Sequence, residues 1–322
     1  MTRSPARARW LRIGALAWSA AVACPLLLPL ADLSFSSVVP VVQALWPGWL
    51  LLGLVTLVGC LGLRQWAAAG IVVAALVAGL LPGTLTGSGA EPAGSGESLT
   101  VLAANVEFSQ GDPQVLADAV RELDVDVLVL LEVRQRYLQR LRDLALDTDL
   151  PHGWGRPVAG GAMGTTILTR VPQQDETRWP DPFGYRFQMP TVRLELDGRE
   201  VVVRAVHTQP PAPGPAPAWR TELKALEAWV DAVPSDVPLV LAGDFNAGRA
   251  HPAFRDVADG FAVAPGRGSR TWPEDGPLGP FVGIDHVLGR GLAPVDSGSV
   301  SVPGSDHRAV WGRLGPAARR SS

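Results

Sequence analysis

Carboxylates, amides and imidazoles gather at six places in the second two thirds of the sequence: Asn105, Glu132, His207, Asp244 with Asn246, Asp285, and Asp306 with His307. Carboxylate and imidazole side chains exchange protons with water near neutral pH, so such a set has the means for general acid and base work. Asp285 and His307 are distant in sequence, and a carboxylate that fixes an imidazole tautomer is the pairing that would join them. Each residue alone has a plainer reading. Asn105 reads as a turn residue, Glu132 as the end of a strand or the start of a helix, His207 as a satisfied, partly buried histidine, and Ser305-Asp306-His307 as a cap or turn. Gly243-Asp244-Phe245-Asn246 is more specific, because two polar side chains flank one aromatic directly after an apolar run. The six groups gain their meaning from occurring together and in this order.

The elements that must position them read as strands mixed with helices. Residues 99–106 and 125–131 are apolar runs of the fully buried strand type and lead to Asn105 and Glu132. Between them, Asp112-Pro113 supplies an N-cap and a first-turn proline for a helix to about residue 123. A charged helix is expected over 135–146 and a strand over 165–169. Residues 191–196 and 200–206 flank Asp197-Gly198, a two-strand hairpin signal that ends at His207. Helical spacing follows over 219–233, then strands at 239–241, 284–288 and 309–314. A hairpin among β-α alternations predicts a mixed-sheet α/β domain rather than a purely parallel one. In such domains the strand ends hold side chains rigidly while loops admit substrate.

The series Asn105, Leu131-Glu132-Val133, His207-Thr208, Gly243-Asp244-Phe245-Asn246, Ile284-Asp285-His286 and Ser305-Asp306-His307 resembles the endonuclease/exonuclease/phosphatase superfamily over about residues 99–314. That resemblance implies a four-layer sandwich of two packed mixed β-sheets with outer helices, and metal-dependent hydrolysis of phosphoesters. Residues 164–170 and Thr271-Trp272-Pro273 also look like segments of the family, but read better as a core strand and a packing loop. By the resemblance Glu132 is the first-choice ligand of Mg²⁺, with Mn²⁺ as the alternative ion, and Asn105 and Asp306 complete or adjoin the metal site. Hard oxygen donors suit such an ion, which keeps several waters and needs only one or two carboxylates. His307 would act on the phosphate or its water with Asp285 fixing its tautomer, and Asp244 would align or deprotonate the attacking water. Asn246 would donate to a phosphoryl oxygen, and His207 would bind the phosphate or protonate the leaving group. Glu107 reads as a group near the metal or as surface, and Arg134 as a contact to substrate phosphate or as a helix opener. The sequence offers no carboxylate partner for His207. The proline-rich stretch 209–218 either shapes the substrate mouth or bridges a strand to a helix.

Composition divides the chain. Before residue 83 charge is almost absent, and apolar stretches at 13–30, 41–63 and 66–81 approach the ~20 residues that a membrane-spanning helix needs. Three transmembrane helices are expected, with a cleaved signal peptide as the alternative for the first. Arg3, Arg7, Arg9 and Arg12 before the first stretch, and Arg64 between the second and third, put those segments on the cytoplasmic side, so the rest of the chain would emerge outside. The expected organisation is a membrane anchor at 1–82, a flexible Gly/Ser/Pro-rich linker at 83–97, a catalytic domain at 98–314 and a tail at 315–322. Both cysteines, Cys24 and Cys60, fall in the apolar part, which leaves the remainder without a disulfide or a thiolate metal site.

From Glu97 on, the chain holds 23 of its 28 Lys plus Arg and 29 of its 31 Asp plus Glu, a balance of −6. Proteins that grip duplex nucleic acid display basic surface, so nucleic acid is the less favoured partner. The three spans followed by this domain resemble the membrane-anchored actinobacterial members of the superfamily, among them the VanJ-type teicoplanin-resistance proteins. The resulting expectation is a multi-pass cell-membrane protein with an extracytoplasmic catalytic domain, hydrolysing an envelope or extracellular phosphoester, a lipid phosphate or diphosphate being favoured. An extracytoplasmic nuclease and a catalytically silent binding module are the alternatives.

Overall fold

The computed structural model describes residues 5–33, 35–85, 94, 96–155, 164–181, 184–196, 198–266, 268–277 and 279–317. Most of the expected linker, Asp197 of the hairpin signal, Arg3 and the end of the tail lie outside them.

Among the described residues, strands form two sheets. In the first, β1 (Leu99–Asn105) runs parallel to β2 (Val127–Leu131), β3 (Thr165–Thr169) adds antiparallel to β2, and β10 (Leu292–Val300) and β11 (Ala309–Pro316) complete the order β10-β11-β1-β2-β3. The second contains β4 (Gln173–Asp175), β5 (Thr191–Leu196), β6 (Arg199–His207), β7 (Leu239–Asp244), β8 (Ala262–Ala264) and β9 (Asp285–Arg290), in the order β4-β5-β6-β7-β9-β8. Here β6 and β7 are the parallel pair. Both sheets are therefore mixed, as the hairpin signal predicts.

The sheets pack face to face. Val101, Ala103, Val127 and Val129 of the first meet Val192, Val203, Val240 and Val287 of the second in one buried cluster. The alternate residues of β1 and β2, such as Leu102, Leu128 and Leu130, point outward under α5 (Pro113–Glu122) and α6 (Gln135–Asp143). On the far side α8 (Ala216–Ala232) and α9 (Pro252–Val257) cover the second sheet through Trp219, Leu223, Leu226 and Phe254. Burial on both faces explains why the central strands are continuous apolar runs, each large side chain contributing about 1.5–3 kcal/mol over exposure. The result is the expected four-layer sandwich. Asp112 caps α5 by accepting from the Gln114 amide at 2.9 Å, the cap that Asp112-Pro113 predicts. The charged helix ends at Asp143 rather than at 146, and the chain turns through Ala145 at φ +58° into the single turn α7 (Leu146–Asp149).

The N-terminal part is helical and departs from three continuous spans. Helix α1 (Pro5–Leu27) continues into a 3-10 turn (Leu28–Leu30), followed by α2 (Val38–Ala44), α3 (Trp46–Gly62) and α4 (Trp66–Leu85). Among the described residues, only the segment Arg9–Leu30 is long and apolar enough by itself to cross a membrane. The second expected span is broken: α2 and α3 meet at 68°. Pro47 has no amide to donate and is tolerated in a first turn, so the helix restarts at Trp46 instead of continuing. The apolar stretch Trp66–Leu80 of α4 is shorter than a span. By this measure the described residues contain one candidate span, or two if the bent pair is one. The helices pack on one another through Val22, Leu26, Val72 and Leu76. Gly79 lets α1 and α4 close, since a Cβ there would lie 2.6 Å from the Leu26 carbonyl oxygen.

These helices also touch the sandwich directly. Arg220 of α8 forms a bidentate ion pair with Asp32, with two contacts of 2.8 Å from its Nε. Ser37 Oγ donates to the Gly214 carbonyl at 2.7 Å, His251 Nε2 to that of Pro40 at 2.9 Å, and Arg255 to that of Pro29 at 2.6 Å.

Candidate active site

Register brings three of the expected residues into one row. His207 at the end of β6 pairs with Asp244 of β7, and Asp244 pairs with Asp285 of β9. Gly243 makes the close approach of β6 and β7 possible: it sits at φ +142°, and a Cβ would fall 2.1 Å from the Val206 carbonyl oxygen. On the opposing sheet, Asn105 ends β1 next to Leu131 of β2, so Glu132 follows directly beside it. The sandwich thus points two sets of strand ends at one place.

Hydrogen bonds knit the sets together. Asn105 Nδ2 donates to Glu132 Oε1 at 3.2 Å and to Asp244 Oδ2 at 3.4 Å, so one amide bridges the sheets. The Phe108 amide donates to the second Glu132 oxygen at 3.1 Å. Glu132 adopts φ +56°, and Glu107, Phe108 and Ser109 of the facing loop have φ values of +40°, +53° and +73°. Left-handed backbone is costly for such residues, and these turns aim both the carboxylate and its donors.

The loop before β11 completes the centre. Ser305 Oγ donates to the Asn105 carbonyl at 2.8 Å and receives the His307 amide at 3.1 Å. His307 Nδ1 lies 3.0 and 3.2 Å from the two Asp285 oxygens, so the carboxylate–imidazole pairing exists. His307 Nε2 then faces Asp244 Oδ2 at 3.8 Å and Asp306 Oδ1 at 3.7 Å. Trp272 Nε1 donates to the other Asp306 oxygen at 2.9 Å, and the Asp306 amide donates to Glu107 at 2.9 Å. Thr271-Trp272-Pro273 is therefore more than a packing loop, since Trp272 orients Asp306 and Thr271 Oγ1 accepts the Asp285 amide at 3.3 Å.

Asn246 and Arg134 are both engaged within the protein. Asn246 Nδ2 donates to the Thr208 carbonyl at 2.8 Å and to Asp244 Oδ2 at 3.2 Å, which engages both of its hydrogens. It buttresses Asp244 from the wall of the cavity over the centre. Arg134 likewise opens α6, its amide donating to Ser109 Oγ at 2.8 Å and its guanidinium lying 6.0 Å from the Phe108 ring centroid. Arg186, which the sequence did not single out, lines the cavity over the centre.

Electrostatics separate the two histidines. Burial drives His207 down to about 3, and the charge of His307 acts the same way, so His207 is a neutral imidazole at pH 7. It stacks on Phe187 with ring centroids 4.2 Å apart and approaches Glu132 at 3.8 Å through Nε2, while its Nδ1 is buried without a partner. Burial also opposes charge on His307, but Asp285 and Asp244 outweigh it and hold His307 above the usual imidazole range. Burial, then the charge of Asp285, pushes Asp244 up. Glu132 is raised by burial against its two hydrogen bonds, and Glu107 by burial and Asp306.

Such an excess of negative charge around a small space fits a divalent cation. Among the described residues, the carboxylate and imidazole atoms close enough to share one ion are those of Asp244, Asp285 and His307, all within 4.8 Å of one another. In that trio, however, His307 Nδ1 is taken by Asp285, and Asp244 Oδ1 accepts the Asn246 amide at 2.7 Å. Glu132, Asp306 and the Asn105 oxygen, which accepts the Glu107 amide at 3.1 Å, bring hard oxygen donors to the other side, the chemistry that Mg²⁺ selects. A cavity of about 800 Å³ opens above both sides and is lined by Glu132, His207, Asp244, Asn246, Asp306 and His307.

Known proteins agree with this construction. The model of the Endonuclease/Exonuclease/phosphatase family matches residues 102–307. A comparison with curated proteins finds no match. Among solved structures, the chain is similar to a humanized TDP2 from D. rerio, at 15% identity and TM-score 0.53, over 67% of this chain and 98% of that one. It is also similar to the beta toxin of Staphylococcus aureus with bound magnesium ions, at 15% identity and TM-score 0.50, over 67% of this chain and 99% of the other. At these identities the likeness is one of fold.

Proposed function

Since the chain belongs to the endonuclease/exonuclease/phosphatase family, whose members are metal-dependent phosphoester hydrolases, we propose that it is a membrane-anchored hydrolase of a lipid phosphate or diphosphate, facing the outside of the cell. The observation that carries this reading is the junction of the two parts. The apolar N-terminal helices are clasped to the sandwich through Asp32, Ser37 and Pro40, and residues of α2 line the cavity above Glu132 and His307. A site at that junction meets headgroups more readily than a DNA duplex. The outer faces of the helices agree, since Trp10, Leu51, Leu54, Val58, Trp66 and Val77 are exposed apolar side chains of the kind lipid covers. With Arg9–Leu30 as the span, the arginines at its start support an outward-facing sandwich.

Glu132, Asn105 and Asp306 would hold Mg²⁺, and the ion, when bound, supplies positive charge to the phosphoryl oxygens. Asp244, held by Asn246 and facing His307, takes the proton of the attacking water in its ionised form. His307, kept charged and in one tautomer by Asp285, gives a proton from Nε2 to the leaving oxygen. His207 is neutral and so binds a phosphoryl oxygen rather than acting as an acid. A VanJ-type organisation, a membrane-embedded part followed by this domain, fits this reading with the anchor reduced from three continuous spans to one or two.

The test is a side-by-side assay of the full chain in detergent with Mg²⁺ against a lipid phosphate, a polyprenyl diphosphate and plasmid DNA. Phosphate release from a lipid substrate with intact DNA is the expected result. DNA cleavage without lipid turnover would replace this reading with that of a nuclease.

A further inference from the structure

The lining of the cavity over the centre is of two kinds. Glu132, Asp244 and His307 supply its polar part, and Val41 and Ala44 of α2, Leu45 directly after it and Phe281 supply its apolar part. Beyond Ala44 a second cavity of about 260 Å³ shares His251, Phe281 and Ile284 with the first, and continues to Trp46, Pro47 and Gly79 among the N-terminal helices. An uninterrupted series of lining residues thus leads from the phosphate-handling groups to the helices that would lie in lipid.

Exposure of apolar side chains follows the same line. Among the described residues of the sandwich, the exposed large apolar side chains are Phe108 at 41%, Phe281 at 37% and Val295 at 58%, and the first two lie on this cavity. Val41 of α2 and Leu45 at its end face it while 40% and 37% exposed. Solvent-facing apolar surface concentrated in one concave place marks an apolar ligand. Four contacts hold α2 and its flanks in position, made by Arg220, Ser37, His251 and Arg255. The break at Pro47 then acquires a purpose: it turns α2 away from α3 and onto the sandwich.

We propose that α2 is a wall of the active site, and that the groove between α2 and Phe281 receives the hydrocarbon chain of the substrate sideways from the membrane while its phosphate reaches Glu132 and His307. This rests on the reading that the substrate is a lipid phosphate, and it adds that the N-terminal helices determine which lipid is accepted. A chain-binding wall selects for chain length, whereas a mere anchor does not.

The experiment compares two phosphomonoesters with the same headgroup, dioleoyl phosphatidic acid in mixed micelles and water-soluble dibutyryl phosphatidic acid. The full-length protein and the variants Leu45→Gln, Val41→Thr and Val295→Gln are assayed with Mg²⁺. The readout is the ratio of long-chain to short-chain kcat/KM, which cancels any loss from partial misfolding. Leu45→Gln lowers this ratio about tenfold, as expected when an apolar contact to the chain becomes polar. Val41→Thr lowers it by a smaller factor, and Val295→Gln, outside the cavity, leaves it unchanged. An unchanged ratio in both Leu45→Gln and Val41→Thr, with the unaltered protein active on the long-chain lipid, overturns the inference alone. Failure of the unaltered protein to hydrolyse either ester overturns the lipid-phosphate reading beneath it.

Discussion

Replacing Asp285 by Asn tests how the centre is wired. Asp285 is 3% exposed, and its carboxylate receives His307 Nδ1 at 3.0 and 3.2 Å. Asparagine keeps the shape and removes the charge. A hydrogen bond to a charged group contributes ~1.5–3 kcal/mol, and burial on both sides puts this one in the upper part, about 2–3 kcal/mol. At ~1.4 kcal/mol per decade, kcat falls roughly 30- to 150-fold. KM changes little, because Asp285 touches His307 and not the substrate. The loss is also dependent on pH. Asp285 is the leading influence raising His307, so without it the proton leaves His307 at lower pH and the alkaline limb of the rate profile moves down. The assay is steady-state phosphate release across pH with saturating Mg²⁺. A kcat within threefold of the unaltered protein, with an unmoved alkaline limb, would refute the idea that Asp285 positions and charges His307.

Further outcomes follow from the same geometry. Glu132→Gln raises the Mg²⁺ concentration for half-maximal activity by ~10- to 100-fold, since an oxygen ligand matters at least as much as the groups that orient it; a metal titration of activity checks this. Gly243→Ala forces a Cβ to 2.1 Å from the Val206 carbonyl oxygen at φ +142°, costs about 3 kcal/mol and lowers the thermal midpoint by roughly 6–12 °C. The Asp32–Arg220 pair is sensitive to acid. The hydrogen bond from Arg220 holds Asp32 below its ordinary 3.8, so the stabilisation is fully present above that value and is lost as pH falls through the lower folded value. The difference in thermal midpoint between the unaltered protein and Asp32→Asn is therefore largest near neutrality and shrinks below about pH 4, measured by tryptophan fluorescence.

How much of this was legible in the sequence depended on what each residue does. Glu132, His207 and Asp244 could be read because a fully buried strand leaves a run of apolar residues, and a polar side chain at its end is conspicuous. Asp285 and His307 were paired from residue chemistry alone, and the fold supplies the contact at 3.0 Å. Ser305, Trp272 and Phe187 went unread as site residues. Trp272 and Phe187 act on another side chain and Ser305 on the backbone of Asn105 and His307, all from irregular segments, and no periodicity marks such a partner. Strand β10 escaped for a different reason. Its sequence LAPVDSGSV lies at a sheet edge and pairs only with β11, so neither face need be continuously apolar. Hydropathy counted α2 and α3 as one span because composition does not register the turn before Pro47. Nor can it tell a helix facing lipid from one facing an active site, which is why the linker read as a tether between independent parts while Asp32 and Ser37 in fact join them.

The central claim is that the strand ends form a metal-dependent centre for phosphoester hydrolysis. Its most direct test is inorganic phosphate release from a long-chain lipid phosphate by the full chain in micelles, with Mg²⁺, with chelator, and with His307→Ala. Turnover with Mg²⁺ that disappears on chelation, returns on adding Mg²⁺ back, and is lost in the folded His307→Ala variant is the predicted result. Turnover that persists in chelator, or in His307→Ala at near the unaltered rate, would contradict the account.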